Sequence, residues 1–227
     1  KGVTAAGYTV DIAIEGNGFI GHKLYAGKVV GNDLMQVLPY GYDPESGLGF
    51  KIKIVNLSGL EIFGALEYSV HMVEYTDEIA LQVSGLTFEY DSEKAPYARV
   101  DPYSIEINGQ PLIFDDPYVI ALNERLLEFL AVLGIDITQP GRVIDPDPDL
   151  LVFKLAEDYM LQLNHLEYTS EGRIIDTSEI PWQTFGGKIK SNLLDNILLL
   201  QSLLSLFKLS IQNHISEFKC RIQSNTL

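Results

Sequence analysis

The sequence predicts an α+β or mainly β fold, a twisted antiparallel sheet packed around or against a long, apolar C-terminal helix. Three observations carry that expectation. Between Tyr8 and Tyr90, apolar and polar residues alternate with the period of strands. Glycine-rich turns such as "EGNGFIG" and "YGYDPESGLG" separate those stretches. From Ser191 onward the spacing becomes helical and leucine-rich.

The elements follow in order. In "GYTVDIAIEG", Tyr8, Val10, Ile12 and Ile14 oppose Thr9, Asp11, Ala13 and Glu15, as in a strand with one covered face. "GFKIKIVNLSG" repeats this with Phe50, Ile52 and Ile54 against Lys51 and Lys53. "LEYSVHMVEY" sets Leu66, Tyr68, Val70 and Met72 against Glu67, Ser69 and His71, and is expected to be a third strand. In "EIALQVSGLTFEYD" the apolar set Ile79, Leu81 and Val83 shifts phase at Gly85 to Leu86, Phe88 and Tyr90. A glycine at a phase change predicts a bulge or bend there. Such two-faced alternation points to antiparallel pairing rather than a wholly parallel sheet. Asn108-Gly109 in "SIEINGQPLIF" predicts a hairpin with a type I′ turn.

Helices are expected after that hairpin. "DDPYVIALNERLLEFLAVLG" offers a cap at Asp115 or Asp116, Pro117 in the first turn and a terminating Gly134, which predicts a helix near 119–133. "LLVFKLAEDYMLQLNHLEY" fits either period. Leu193, Ile197, Leu200, Leu204, Phe207, Ile211 and Ile215 then mark one long stripe, widened by Leu194, Leu198, Leu203 and Leu206. Its longest uncharged run, Asn196 to Phe207, has twelve residues. A membrane crossing needs about twenty apolar residues, so no standard transmembrane helix is expected. The expected organisation is a strand-rich body over 1–190 and a helical segment over 191–227, docked on the body or on a partner subunit.

The charge balance narrows the partners. The chain of 227 residues carries a formal charge of −15, which disfavours nucleic acid and anionic membrane surfaces. Residues 101–180 have sixteen acids against four bases, whereas 181–227 have two against five. A basic, apolar tail beside an acidic body can dock on that body or reach to another molecule. Cys220 is the only cysteine, so no disulfide can form within the chain. A secreted or extracellular setting stays open. Asn56-Leu57-Ser58 is a formal glycosylation sequon, a tripeptide frequent by chance.

Motifs for chemistry are sparse. His22, His71, His165 and His214 are far apart and form no zinc spacing. Asp145, Asp147 and Asp149 alternate with Pro146 and Pro148, reading first as a solvated acidic loop and second as hard ligands for calcium. "GNGFIG" has dinucleotide-loop spacing without the strand–helix context that such a loop needs, and reads better as two turns. Neither a G-x-S-x-G elbow nor a phosphate loop occurs. Glu61, Glu67, Glu74, Asp77 and Glu89 lie on or beside expected strands and could include a hydrolytic pair. Of twelve tyrosines, Tyr40, Tyr42, Tyr68, Tyr75, Tyr90, Tyr97, Tyr103 and Tyr118 recur near expected strands or their ends, suited equally to lining a cavity with a polar rim and to ordinary strand or interface packing. Trp182 could anchor the last helix.

A long curved sheet around an apolar helix, across roughly residues 48–218, resembles in layout the tubular lipid-binding proteins. The helix near 119–133 and the "DPDPD" segment depart from that layout. The resemblance implies a lipid or another elongated hydrophobe as ligand. The leading expectation is therefore a non-enzymatic protein that binds or carries a hydrophobic small molecule or lipid. Its cavity would be lined by Ile54, Leu66, Tyr68, Leu81 and Phe88 on strands and by Ile197, Leu200, Leu204, Phe207 and Ile211 on the helix. One alternative is a structural protein that forms homo-oligomers through 191–218. A second is a hydrolase acting through unidentified carboxylates. No catalytic residue, metal or cofactor is assigned.

Overall fold

The computed structural model describes residues 3, 7–45, 47–145, 149–163, 165–167 and 170–179. The expected C-terminal helix, with Ile197, Leu200, Leu204, Phe207 and Ile211, lies outside the described residues, as does the domain division at 191. The described residues form a mixed α+β fold with a twisted, partly antiparallel sheet.

Nine strands and four α-helices are described. The strands are β1 (Ile12–Gly16), β2 (Ile52–Ser58), β3 (Leu81–Ser84), β4 (Leu86–Tyr90), β5 (Glu106–Ile107), β6 (Gln110–Pro111), β7 (Pro117–Asn123), β8 (Val143–Asp145) and β9 (Ile174–Asp176). The helices are α1 (Gly31–Val37), α2 (Gly59–Met72), α3 (Glu124–Val132) and α4 (Val152–Leu161). One sheet has the order β3-β1-β7-β2-β8 and the other β6-β5-β4-β9. Pairing is mostly antiparallel, but β1 runs parallel to β7 and β4 parallel to β9, which corrects the expectation of a purely antiparallel sheet.

Gly85 performs the turn expected of it. It has φ +80° between β3 and β4, so the phase change in the sequence is where the chain leaves the first sheet for the second. The hairpin at Asn108-Gly109 also forms, with both residues at positive φ, as a type I′ turn requires.

Two segments differ from expectation. The stretch expected as a third strand is helix α2. Ser58 Oγ accepts from Glu61 N at 3.3 Å while Ser58 N donates to Glu61 Oε2 at 2.8 Å, a capping box that starts the helix. Leu66, Glu67 and Ser69 are all buried, and a helix enclosed on several sides loses the one-faced pattern that would have marked it. The second difference lies at 117–123, the first half of the expected helix near 119–133. It is β7, a central strand, and its run Val119-Ile120-Ala121-Leu122 is apolar because both faces are covered. The true helix cap is Asn123, whose Oδ1 accepts from Arg125 N at 2.8 Å and Leu126 N at 2.9 Å.

The core has two parts. Ile14, Val55, Leu57, Ile120 and Leu122 face α2, α3 and the second sheet. On the opposite face, Ile52, Ile54 and Ala121 pack with Val152 and Leu155 of α4. No helix among the described residues is long and apolar enough to cross a membrane.

Candidate functional site

The parallel pair β1–β7 and the antiparallel neighbour β2 bring three distant segments to one end of the first sheet. Register aligns Ile14 with Leu122 across β1–β7, and Ile52 with Asn123 across β2–β7. Glu15 and Asn123 are therefore side by side at the C-terminal ends of parallel strands. Carboxyl ends of parallel strands are where open sheets commonly bind ligands. Lys51 N donates to Glu124 Oε1 at 3.1 Å and Glu124 N to Lys51 O at 2.9 Å, which ties the start of α3 to the entry of β2.

An aromatic cluster stands at this end. Phe19, in the short 3₁₀ turn Asn17–Phe19, meets Phe50 edge-on with ring centroids 5.4 Å apart. The Arg125 guanidinium lies over the Phe50 ring, 5.9 Å from its centroid. Gly41, at φ +96°, lies where a Cβ would collide with the Phe50 backbone, so the chain on either side runs hard against Phe50. Tyr40 and Tyr42, on either side of Gly41, are 49% and 73% exposed. Two half-buried rings with a guanidinium over one of them offer a face to a flat ligand.

Glu15 is the titratable group at the base of this cluster. Its Oε1 accepts from Gly16 N at 2.9 Å and from the Asn123 amide. Burial raises its pKa to about 7, and those two hydrogen bonds offset only part of that rise. Asn123 is wholly buried, and both directions of its amide are used. It donates to Glu15 and accepts from the first turn of α3.

The residues expected to line an apolar cavity are elsewhere. Ile54 belongs to one core cluster, Leu66 and Phe88 to the other, and Leu66 and Tyr68 sit on helix α2 rather than a strand. Of these five, only Tyr68 and Leu81 border a small apolar pocket of about 30 Å³, room for one or two waters. A larger cleft of about 700 Å³ opens between 24–31 and the end of α4, and none of those five residues lines it.

The carboxylates weighed for hydrolysis are also dispersed. Glu61 pairs with Arg142 at 2.6 Å, which together with Ser58 holds its pKa down against the opposing effect of burial. Glu67 accepts from Arg99 N and Val100 N in the core. Asp77 starts a 3₁₀ turn and Glu89 lies in β4. His71 contacts Tyr75 and Tyr97, and its Nδ1 is buried without a hydrogen-bond partner among the described residues. No three histidines, cysteines or carboxylates are grouped as for a metal among the described residues. Asp147 lies outside them.

Sequence reading passed over Glu15, Phe19, Phe50, Asn123 and Arg125 as site residues. One signal was present. Tyr40 and Tyr42 flank Gly41 in "PYGYD", a polar, turn-forming setting in which two rings have no core to enter.

Residues 3–128 match the family model described as the 5'-nucleotidase, C-terminal domain. No curated protein gives a sequence match. Among solved structures, the 5'-nucleotidase precursor of Thermus thermophilus aligns at TM-score 0.60 and 24% identity, over 74% of this chain and 32% of its own. The NAD nucleotidase of Haemophilus influenzae aligns at 0.59 and 17% identity, over 74% and 30%. The sulfate thiohydrolase SoxB of Thermus thermophilus, solved with glycerol, aligns at 0.55 and 16% identity, over 77% and 30%. The chain thus spans about a third of the length of these proteins. These matches overturn the expected non-enzymatic carrier of a lipid or apolar ligand, and the oligomer-forming structural protein with it. They favour the hydrolase alternative. The chain belongs to the 5'-nucleotidase C-terminal domain family.

Proposed function

We propose that this member of the 5'-nucleotidase C-terminal domain family is the nucleotide-holding part of a hydrolase that cleaves a phosphate ester. The observation that carries the proposal is one of coverage. The family match over 3–128 contains all three segments of the aromatic cluster, namely 15–19, 40–50 and 123–125. Phe19, Phe50, Tyr40 and Tyr42 supply faces on which a nucleobase can stack, a contact worth about 1–3 kcal/mol per base. Arg125 adds a cation at the same ring.

The division of labour follows from charge and size. A chain of formal charge −15 is a poor holder of phosphate by itself. The relatives are more than twice as long, and the phosphoryl chemistry is assigned to their part that this chain does not span. In that chemistry water forms a new P–O bond as the ester oxygen leaves. The role of this part is to fix the base so that the ester is held in reach. A secreted or extracellular setting belongs to the same proposal.

Calorimetry of the full-length protein with adenosine monophosphate and with ribose 5-phosphate tests it, alongside phosphate release from both. The nucleotide should bind at least about tenfold more tightly, the equivalent of one stacked base. Equal binding of the two, or binding of neither, would overturn it.

A further inference from the structure

The end of β1 carries a group that the stacking cluster does not explain. Glu15 uses a single oxygen, Oε1, for both of its hydrogen bonds, and among the described residues no group donates to Oε2. Asn123 gives one amide hydrogen to Glu15, and its oxygen is consumed by the cap of α3, so the amide cannot turn over. Glu15 is part-buried rather than sealed. Register sets Asn123 opposite Ile52, two residues along the chain from Arg125 and from Phe50 respectively, with Glu15 beside it.

We propose that Glu15 is a specificity-determining residue of the nucleotide site, its open carboxylate oxygen accepting a hydrogen bond from a donor group of the nucleoside. The inference rests on the nucleotide reading above. The donor classes available on a nucleoside are the exocyclic amine of the base and the ribose hydroxyls. Asn123 holds the carboxyl group in place from its far oxygen, so the ligand meets an acceptor of fixed position.

Ionisation decides whether that acceptor is charged. The charged groups on the surrounding elements are Lys51 before β2, Asp43 in the preceding loop, Glu124 and Arg125 at the start of α3, and Glu78 on the 3₁₀ turn beside Gly18. On α4, Lys154 pairs with both Glu157 and Asp158. The hydrogen bonds of the Glu15 carboxyl are those from Gly16 N and the Asn123 amide. With its pKa near 7, the carboxyl changes from neutral acid to carboxylate within the neutral range. A hydrogen bond to a charged acceptor is about twice as strong as one between neutral groups.

Adenosine is the appropriate probe, because a phosphate would titrate near pH 6 and mask the carboxyl. Its affinity for the full-length protein would be measured from pH 5.5 to 8.5 in the native protein and in Glu15→Gln. Native affinity should tighten about tenfold as pH rises, with its midpoint near 7, while Glu15→Gln should be flat and bind at the weaker level. A flat native profile, or a Glu15→Gln profile matching the native one, would sink the role of Glu15 while leaving the nucleotide reading standing. Failure of adenosine and its monophosphate to bind the native protein at every pH would remove both. The native profile decides the matter even where the variant does not fold.

Discussion

Two glutamates, one buried and one half-buried, have their carboxyl groups satisfied to different degrees. Glu67 and Glu15 both have their pKa raised by burial. Glu67 is 1% exposed, and its two oxygens accept from Arg99 N and Val100 N, at 3.2 and 2.9 Å. Arg99, also buried, reaches Glu74, the Val70 carbonyl and the Lys94 carbonyl. Every part of that cluster answers another, and its geometry locks α2 to the loop after β4. Glu15 has an amide for a partner instead of a cation and one oxygen left over. Burial alone therefore does not mark a functional carboxyl. An unfinished set of partners at the end of parallel strands is what sets Glu15 apart, and the role proposed for it rests on that difference.

The largest expected effect falls on the finished cluster. Arg99→Ala leaves Glu67 and Glu74 without their cation and should cost about 3–5 kcal/mol in denaturant unfolding. A cost below about 1 kcal/mol would show that the two glutamates differ less than their contacts indicate.

Next in size is the pH dependence of stability that Glu15 confers. Its folded pKa of about 7 is above the unfolded value near 4.5, so the folded state keeps a proton that the unfolded state has lost between those values. Stability is therefore highest below about pH 4.5, falls through the interval and levels off above 7. The full loss is at most about 3 kcal/mol, and solvent screening of a part-exposed group makes it smaller. Glu15→Gln should abolish this component, so that its advantage over the native protein grows from pH 5 to pH 8. A difference that does not change with pH would mean that Glu15 titrates as an ordinary surface carboxylate.

Phe50→Ala sharpens the comparison from the ligand side. It removes the ring that Phe19 and Arg125 share, and nucleotide affinity should drop by about 1–3 kcal/mol in calorimetry. The same titration with ribose 5-phosphate should be unchanged, because that molecule has no base to stack.

Local devices were legible in the sequence, and the site was not. Gly85 and Asn108-Gly109 are read from neighbours a few residues away, and both turns form where the chain predicts them. The stretch 117–133 misled because the cap that matters is Asn123, inside the run, while Asp115 and Asp116 offer equally good chemistry outside it. Helix α2 misled because it is enclosed on several sides, and alternation is then no guide to period. The site depends on Glu15 meeting Asn123, 108 positions along, through a parallel pairing that no local pattern announces. Paired carboxylates and cavity-lining aromatics are the patterns that local sequence can suggest. The structure sets one carboxyl beside an amide, and two half-buried rings, Phe19 and Phe50, against each other near the end of the sheet.

The smallest expected effect is the most discriminating. Arg125 pairs with Glu128 at 2.8 Å, with side chains 55% and 65% exposed, and such a pair contributes about 0–1 kcal/mol to stability. The same guanidinium covers Phe50 at the mouth of the site. Arg125→Gln should therefore leave the unfolding midpoint within about 0.5 kcal/mol of the native protein while weakening nucleotide binding by a similar or larger amount, about 0.5–1 kcal/mol. The contrast with Arg99 is then complete, since one arginine governs folding without touching the ligand and the other does the reverse. If Arg125→Gln lowered stability and left affinity unchanged, the cation would belong to the scaffold, and the ligand face would have to be drawn without it.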